Sequence, residues 1–304
     1  NQGIHLEKNM SMKNSLLYVV TIIIWGSTWI GIKFQLGAVD PMVSVVYRFA
    51  LSAVLLILFC RMRGLTLKFS AKEHTFMALL GLLLFSVNYW LVYVAEVYLT
   101  SGLVAVLFSS IVFMNIANGA FFLGTPVEKK MVFGAVFGIL GIALIFMHEI
   151  ESFDFTDEGL MGIAFGFASV LLASFGNITS ARNSKHNIPV LQANAFGMGY
   201  GALALAFLAL GLGKDFTFAF TLPYITSLVY LAVFGSIIAF TSYLTLISSI
   251  GAHRASYSIM VVPVVALVIS TFFEGYVWSL SAIAGLVLVM TGNFLALHRR
   301  PVPS

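Results

Sequence analysis

The chain has one cysteine, Cys60, among 304 residues, and only nine per cent of those residues are charged. A single thiol excludes a disulfide framework and a thiolate metal cluster. So few charges exclude a water-covered surface, because soluble domains carry roughly a quarter charged residues. The six histidines fall at termini, in loops or near predicted helix ends, with no pair at metal-ligand spacing inside a span. No Gly-Lys-Ser/Thr loop is available to cradle a phosphate, which removes ATP-driven transport. No nucleophile stands with a base, so the reading is of a protein that is not an enzyme and needs no cofactor or metal.

What the chain has in abundance is apolar: 60% of its residues are hydrophobic. They come in ten blocks, approximately 16–36, 41–60, 75–97, 101–123, 130–148, 160–182, 188–211, 224–247, 252–273 and 278–297. Each is about twenty residues, the length that crosses a bilayer core as helix. The short alternating segments of a membrane β-barrel are missing. The expected fold class is therefore all-α and polytopic, with ten transmembrane helices.

The charges assign an orientation. With the N-terminus inside, thirteen of the sixteen basic residues fall on the cytoplasmic side, in clusters such as Arg61, Arg63, Lys68 and Lys72. Only Lys214 falls in an outer loop, while Lys33 and Arg48 are left within spans. This asymmetry follows the positive-inside rule and puts both termini in the cytoplasm. The net charge of +4 then reports topology and calls for no nucleic acid.

Shifting the sequence by 150 residues makes it echo itself. Trp25-Gly26-Ser27 faces Phe175-Gly176-Asn177, Ser86 and Tyr93 face Ser236 and Tyr243, and Gly102 and Ala105 face Ala252 and Ala255. After one inserted residue, Gly134 and Gly141 face Gly285 and Gly292. Five spans per copy is odd, so the second copy enters the membrane from the other side. Such inverted repeats recur in secondary transporters, with the substrate site near the midplane between halves. The expected organisation is a cytoplasmic tail over 1–15, a five-helix repeat over 16–148 and an acidic external linker over 149–159. A second repeat follows over 160–297, and a cytoplasmic tail over 298–304.

The opening "WGSTWIGIKF", the "DPMVSVVYRF" of the next span, and the pair "YLTSGLVAVLFSSIVFMNIANGAFFLG" and "LISSIGAHRASYSIMVVPVVALVISTFFEG", each followed by a Gly-spaced span, carry a family likeness. In these the chain resembles the drug/metabolite transporter superfamily, and within it the bacterial EamA-domain permeases, over about residues 16–297. The resemblance implies a ten-helix basket of inverted repeats around a central cavity, placed in a bacterial inner membrane. It also implies movement of small metabolites, often outward.

Intramembrane polar groups are costly and usually face protein or water. Trp25, Trp29 and Lys33 share a stripe on the first span, with Ser27 beside it, and Ser44, Arg48 and Ser52 share one on the second. Lys33 is read as a snorkelling anchor at the outer interface. Arg48 is read as an interior charge, paired with helix carbonyls or meeting an anionic solute. Asn88, Tyr89 and Tyr93 face one way on the third span, as do Ser236 and Tyr243 on its repeat partner, the eighth. Tyr93 and Tyr243 are candidate gate residues at matched depths, or else interfacial tyrosines. Asn115 and Asn118 in the fourth span, and Ser174 and Asn177 in the sixth, bond helix to helix or bond a substrate. Tyr257 completes an aromatic set, and Pro263 is a candidate hinge. Glu96 and Glu274 fall near outer span ends, so no buried proton acceptor stands out.

The function these features favour is secondary transport of a small amphipathic metabolite, an amino acid or similar zwitterion, by alternating access, with export as the direction. Efflux of lipophilic cations and exchange of sugar phosphates or nucleotide sugars are the rivals within transport, and a channel, receptor or scaffold the rival class. The partners expected are a small-molecule substrate and membrane lipid; a monomer suffices, and a dimer is compatible.

Overall fold

The computed structural model describes residues 12–37, 39–124, 126–127, 129–145, 147, 158–250, 255 and 257–297. The tails over 1–11 and 298–304 and the linker over 149–157 lie outside the described residues. Within the described residues every regular element is helical. Seven helical stretches are long and apolar enough to cross a bilayer: Met12–Lys33, Pro41–Met62, Ala71–Tyr98, Ser101–Leu123, Glu158–Lys185, Val190–Gly211 and Leu222–Ser249. Three helices with shorter apolar runs, Lys129–Ile145, Tyr257–Phe273 and Leu280–Leu297, take the fifth, ninth and tenth places. In chain order these ten are spans 1 to 10.

Local chemistry sets the ends. Asp40 accepts a hydrogen bond from the Met42 N–H at 2.8 Å, with Pro41 at the first helical position, and so starts span 2. Ser70 and Glu73 cap the start of span 3 reciprocally. Gly124 stops span 4 in the left-handed conformation, φ 65°.

Polarity is sorted in the opposite sense to a soluble protein. Phe121, Phe207 and Leu280 are 81, 72 and 84% exposed, as suits contact with lipid tails. Arg48 is among the largest fully buried side chains, and Ser44, Ser52, Asn194 and Ser236 are buried as well. With no hydrophobic force between helices in lipid, association relies on close packing and interhelical hydrogen bonds.

Spans 5 and 10 form the most extensive pair. A Cβ on Gly285 would stand 2.5 Å from the Gly141 carbonyl oxygen, and one on Gly292 would stand 2.5 Å from that of Gly134. Backbone therefore rests on backbone. The repeat offset equates Gly134 with Gly285 and Gly141 with Gly292, so the early glycine of each copy meets the late glycine of the other. A two-fold axis in the membrane plane produces that pairing. Spans 2 and 7, and spans 4 and 9, likewise pack on their own repeat equivalents, and span 1 lies on span 9 as span 6 lies on span 4.

Spans 3 and 8 are interrupted at equivalent places, and span 4 is divided at Ser110. Span 3 breaks between Leu84 and Val87, with Ser86 outside helical geometry at φ −129°, ψ −104°. Span 8 passes through a π-helical stretch, Leu231–Ile238, which contains the equivalent residue Ser236. The first break lies against span 7, where a Cβ on Gly201 would stand 2.7 Å from the Gly81 carbonyl oxygen. The second lies against span 2.

Replacing Gly285 with Leu must push spans 5 and 10 apart, and overpacking of this kind costs about 1–3 kcal/mol. Thermal melting in detergent is expected to show a clearly lowered midpoint for Gly285→Leu, and none for the lipid-facing Phe207→Leu.

Candidate functional site

The π-helical stretch of span 8 organises the polar interior. A π turn displaces backbone carbonyls from their usual donors, and in lipid they need internal partners. Three receive them from side chains. Ser236 Oγ donates to the Leu231 carbonyl at 2.9 Å and Trp25 Nε1 to that of Gly235 at 3.3 Å, while Ser52 Oγ shares its one hydrogen between the carbonyls of Ala232 at 3.1 Å and Arg48 at 2.7 Å.

Arg48 is locked into this arrangement. Its Nε donates to Ser236 Oγ at 2.9 Å, and its guanidinium lies 4.6 Å from the ring centroid of Tyr89 and 5.3 Å from that of Phe49. Aromatic faces attract a desolvated cation. Nη1 and Nη2 have no hydrogen-bond partner. Gly235 leaves room for them, since a Cβ there would come within 3.1 Å of Nη2.

Beside this cluster lies a narrow, partly open cavity of about 60 Å³. Both repeats line it: Trp25, Thr28, Trp29 and Ile32 of span 1, Asn88, Tyr89 and Val92 of span 3, and Phe108 of span 4. The second repeat adds Asn177 of span 6, Phe240 and Tyr243 of span 8, and Ile259 and Val262 of span 9. Aromatic rings interlock around it, with Trp25 4.9 Å from Tyr243, Trp25 5.0 Å from Phe240 and Trp29 5.3 Å from Phe108 between centroids. Two polar atoms of lining residues lack partners, Trp29 Nε1 and Asn88 Oδ1. One is a donor and the other an acceptor.

Of the sequence candidates, Trp25, Trp29, Asn88, Tyr89, Asn177 and Tyr243 are brought together in this lining. Asn115 stands directly behind, its Oδ1 accepting from Asn177 Nδ2 at 3.4 Å, and Asn118 donates to Ser174 Oγ at 2.8 Å, so these amides join spans 4 and 6. Arg48 and Ser236 lie one side chain behind Tyr89, and Arg48 makes no bond to a helix carbonyl. Ser27 points away from the cavity, its hydroxyl 2.6 Å from the Tyr230 hydroxyl. Tyr93 is fully buried outside the lining and donates to Gln35 Oε1 at 2.6 Å. Pro263 sits within the span 9 helix, directly after the lining residue Val262. It has no N–H to give to the Ile259 carbonyl. Tyr257 starts that helix, and its side chain lies outside the described residues.

Two expectations need correction. Lys33 does not snorkel: its Nζ donates to the carbonyl oxygens of Glu96 and of Leu99, the latter at 2.9 Å, and stands 4.0 Å from Glu274 Oε1. The end of span 3 offers carbonyls that lack helical donors, and an ammonium answers them. Nor are the acids at span ends merely interfacial, because Glu96 is completely buried. Position near a helix end says nothing about which neighbouring helix covers it. Gln35 and Phe108 also escaped the candidate set, being a loop amide and an apolar residue indistinguishable in sequence from ordinary packing.

An inverted repeat, all-helical among the described residues and enclosing a cavity lined by both halves, is the architecture of a membrane transporter of the two-repeat class. The comparisons place it more closely. The EamA-like transporter family matches the chain twice, over residues 12–147 and 160–297, and the chain belongs to that family. It is similar to the protein PagO of Salmonella typhimurium LT2, 22% identical over 95% of this chain and 94% of that one. It is also similar to the uncharacterized inner membrane transporter YedA of Escherichia coli K12, 29% identical over 83% and 80%. An uncharacterized transporter of Archaeoglobus fulgidus is 25% identical over 95% of this chain and the whole of that protein. One solved crystal structure superposes with a TM-score of 0.71 at 17% identity, covering 93% of this chain and 96% of the other, and shows the fold alone.

Ser236→Ala leaves the buried Arg48 without its hydrogen bond, a loss of about 1–3 kcal/mol. Adding Arg48→Met removes the stranded charge, so the double variant is expected to melt above Ser236→Ala alone in a thermal-shift measurement on the detergent-purified protein.

Proposed function

We propose that the chain carries a small amphipathic zwitterion, an amino acid or a similar solute, by alternating access, and that it exports it across a bacterial inner membrane with both termini in the cytoplasm. The observation that carries this reading is the cavity itself, aromatic on most sides and lined by both repeats, with Trp29 and Asn88, whose Nε1 and Oδ1 are buried and unpartnered, among its lining residues. The rings receive an apolar moiety. Asn88 Oδ1 accepts from an ammonium, and Trp29 Nε1 donates to a carboxylate. Arg48, one ring behind, adds positive charge and meets the carboxylate through its free Nη atoms when Tyr89 turns aside.

That same charge disfavours a lipophilic cation, and a lone arginine is too little for a phosphorylated sugar. Tyr93 and Tyr243 serve as opposed gates. Tyr93 closes on Gln35 beyond the outer end of span 1, while its repeat partner Tyr243 borders the cavity on the cytoplasmic side. Pro263 lets span 9 flex beside the cavity. The inner-membrane placement is supported by the named location of YedA, the orientation by the distribution of Lys and Arg. Substrate and lipid are the partners required, and a monomer contains the whole pathway.

Proteoliposomes loaded with unlabelled amino acids test this by counterflow. Saturable, trans-stimulated uptake of at least one labelled amino acid is the expected result; flux that neither saturates nor responds to trans solute belongs to a channel and overturns the reading. Arg48→Leu, correctly inserted, is expected to lower that exchange about tenfold to a hundredfold, the worth of a charged hydrogen bond of about 1.5–3 kcal/mol. Tyr93→Ala and Tyr243→Ala each slow exchange, and wild-type rates in both remove the gate assignment.

A further inference from the structure

At the outer end of the cavity, spans 1, 3, 4 and 9 are tied by one ionic cluster, buried at Glu96 and Ser101 and half-buried at Lys33 and Glu274. Lys33 holds the end of span 3 and faces Glu274 across 4.0 Å. The Glu274 carboxylate sits on the N-terminus of span 4, within 3.2 and 3.3 Å of the Ser101 N–H. It also accepts from Ser270 Oγ at 2.6 Å and from Ser101 Oγ at 2.8 Å. Lys33 and Glu274 thus form one neutral pair. Glu96 is the remainder: wholly buried, with Oε1 lacking any partner and Oε2 3.3 Å from Ser101 Oγ.

Counting hydrogens fixes the state of that remainder. Ser101 has one hydroxyl hydrogen and stands between two carboxyl groups, with Glu274 the nearer. If that hydrogen goes to Glu274, the Glu96 to Ser101 contact has no hydrogen of its own unless Glu96 supplies it. An ionised Glu96 would also leave a charged oxygen buried without a partner, far costlier than a neutral one. The other charges do not remedy this. Lys33 is engaged by two carbonyls and Glu274, and Arg48 of span 2 acts only from a distance, paired to Ser236 and the Tyr89 ring. The facing part of span 4 presents Ser101, and span 6 packs here through Gly162, with its one nearby acid, Glu158, exposed.

We propose that Glu96 is the binding site of a coupling proton, and that its protonation seals the outer end of the transport cavity. In the sealed arrangement Glu96 is a carboxylic acid donating through Oε2 to Ser101, which donates to the Glu274 carboxylate. The partly exposed Lys33–Glu274 edge admits water. A proton leaves by that route: Glu274 releases one to water after receiving the Ser101 hydrogen, Ser101 regains one from Glu96, and the net change is Glu96 carboxyl to carboxylate. The cluster then holds two carboxylates against one ammonium, and the four span ends separate. Asn183 and Leu246, the repeat equivalents of Lys33 and Glu96, are uncharged, so this proton latch exists at one face only. The inference rests on the transport reading and goes beyond it by naming the coupling ion.

A protein with one reactive thiol tests it, Phe108→Cys in a Cys60→Ser background, reconstituted and labelled with an impermeant maleimide from either side. Labelling is normalised to a Thr217→Cys control in the outer loop. From outside it is expected to rise with pH, by up to about tenfold per unit, over a scan from mildly acidic to mildly alkaline buffer. Adding Glu96→Gln, which keeps the shape and cannot ionise, is expected to hold it at the low level throughout. A wild-type rise retained in Glu96→Gln, or no pH response with Glu96 present, overturns the proposal. As a second readout, the carboxylic-acid C=O band in pH-difference infrared spectra of purified protein must vanish in Glu96→Gln; its survival also overturns the proposal. Labelling that alternates between sides without regard to pH sinks the proton site and leaves the transport reading standing. Labelling of the Phe108→Cys protein from neither side ends both.

Discussion

Inside a bilayer, no water arrives to satisfy a polar atom whose partner is lost. The architecture of this transporter follows from that constraint. Spans 3 and 8 are interrupted at the same place in their repeats, and each break draws side-chain donors from a different source. In span 3 the Leu84 carbonyl accepts from Asn88 Nδ2 at 3.2 Å, one turn further along the same span, and the backbone lies against the glycines of span 7. In span 8 the π-helical turn is met by hydroxyl and indole donors from spans 1 and 2. Arg48 is there because Ser236 is there. By the repeat offset its counterpart in span 7 is Met198, so the two halves share a backbone plan and divide the polar chemistry unequally.

That inequality is what a carrier needs. A perfectly symmetric pair of repeats would be equally stable open to either side and would respond alike at both. Here one face holds a titratable ionic latch around Lys33, Glu96 and Glu274, and the other holds neutral residues at the equivalent positions. The cavity between them inherits aromatic side chains from both copies, so its walls are shared, while the buried arginine behind Tyr89 comes from the first copy alone.

Legibility varied with the range of the interaction. The membrane class, the number of apolar blocks and the duplication were open to reading because hydropathy and period are properties of contiguous residues. The paired aromatics of spans 1 and 8 were legible too, since helical spacing already put each set on one face. Lys33 misled for a physical reason: one turn from a helix end, a lysine has the same sequence signature whether it snorkels or caps a neighbouring helix. Glu96 misled likewise, because burial at a span end depends on which helices lie alongside. Ser27 looked like part of the Trp25 and Trp29 stripe, and only the placement of Tyr230 turned it to another side.

The sequence alone determined that the chain lives in a membrane, that it was built by duplicating an odd number of helices, and which side its basic residues favour. Each follows from the free energy of single residues or segments in water and lipid. The tertiary structure alone decided that Glu96 shares a serine with Glu274 and that Arg48 faces a π turn with two free nitrogens. Those are facts about residues 173 to 188 positions apart along the chain, brought together by helix packing, and no local energy term records them.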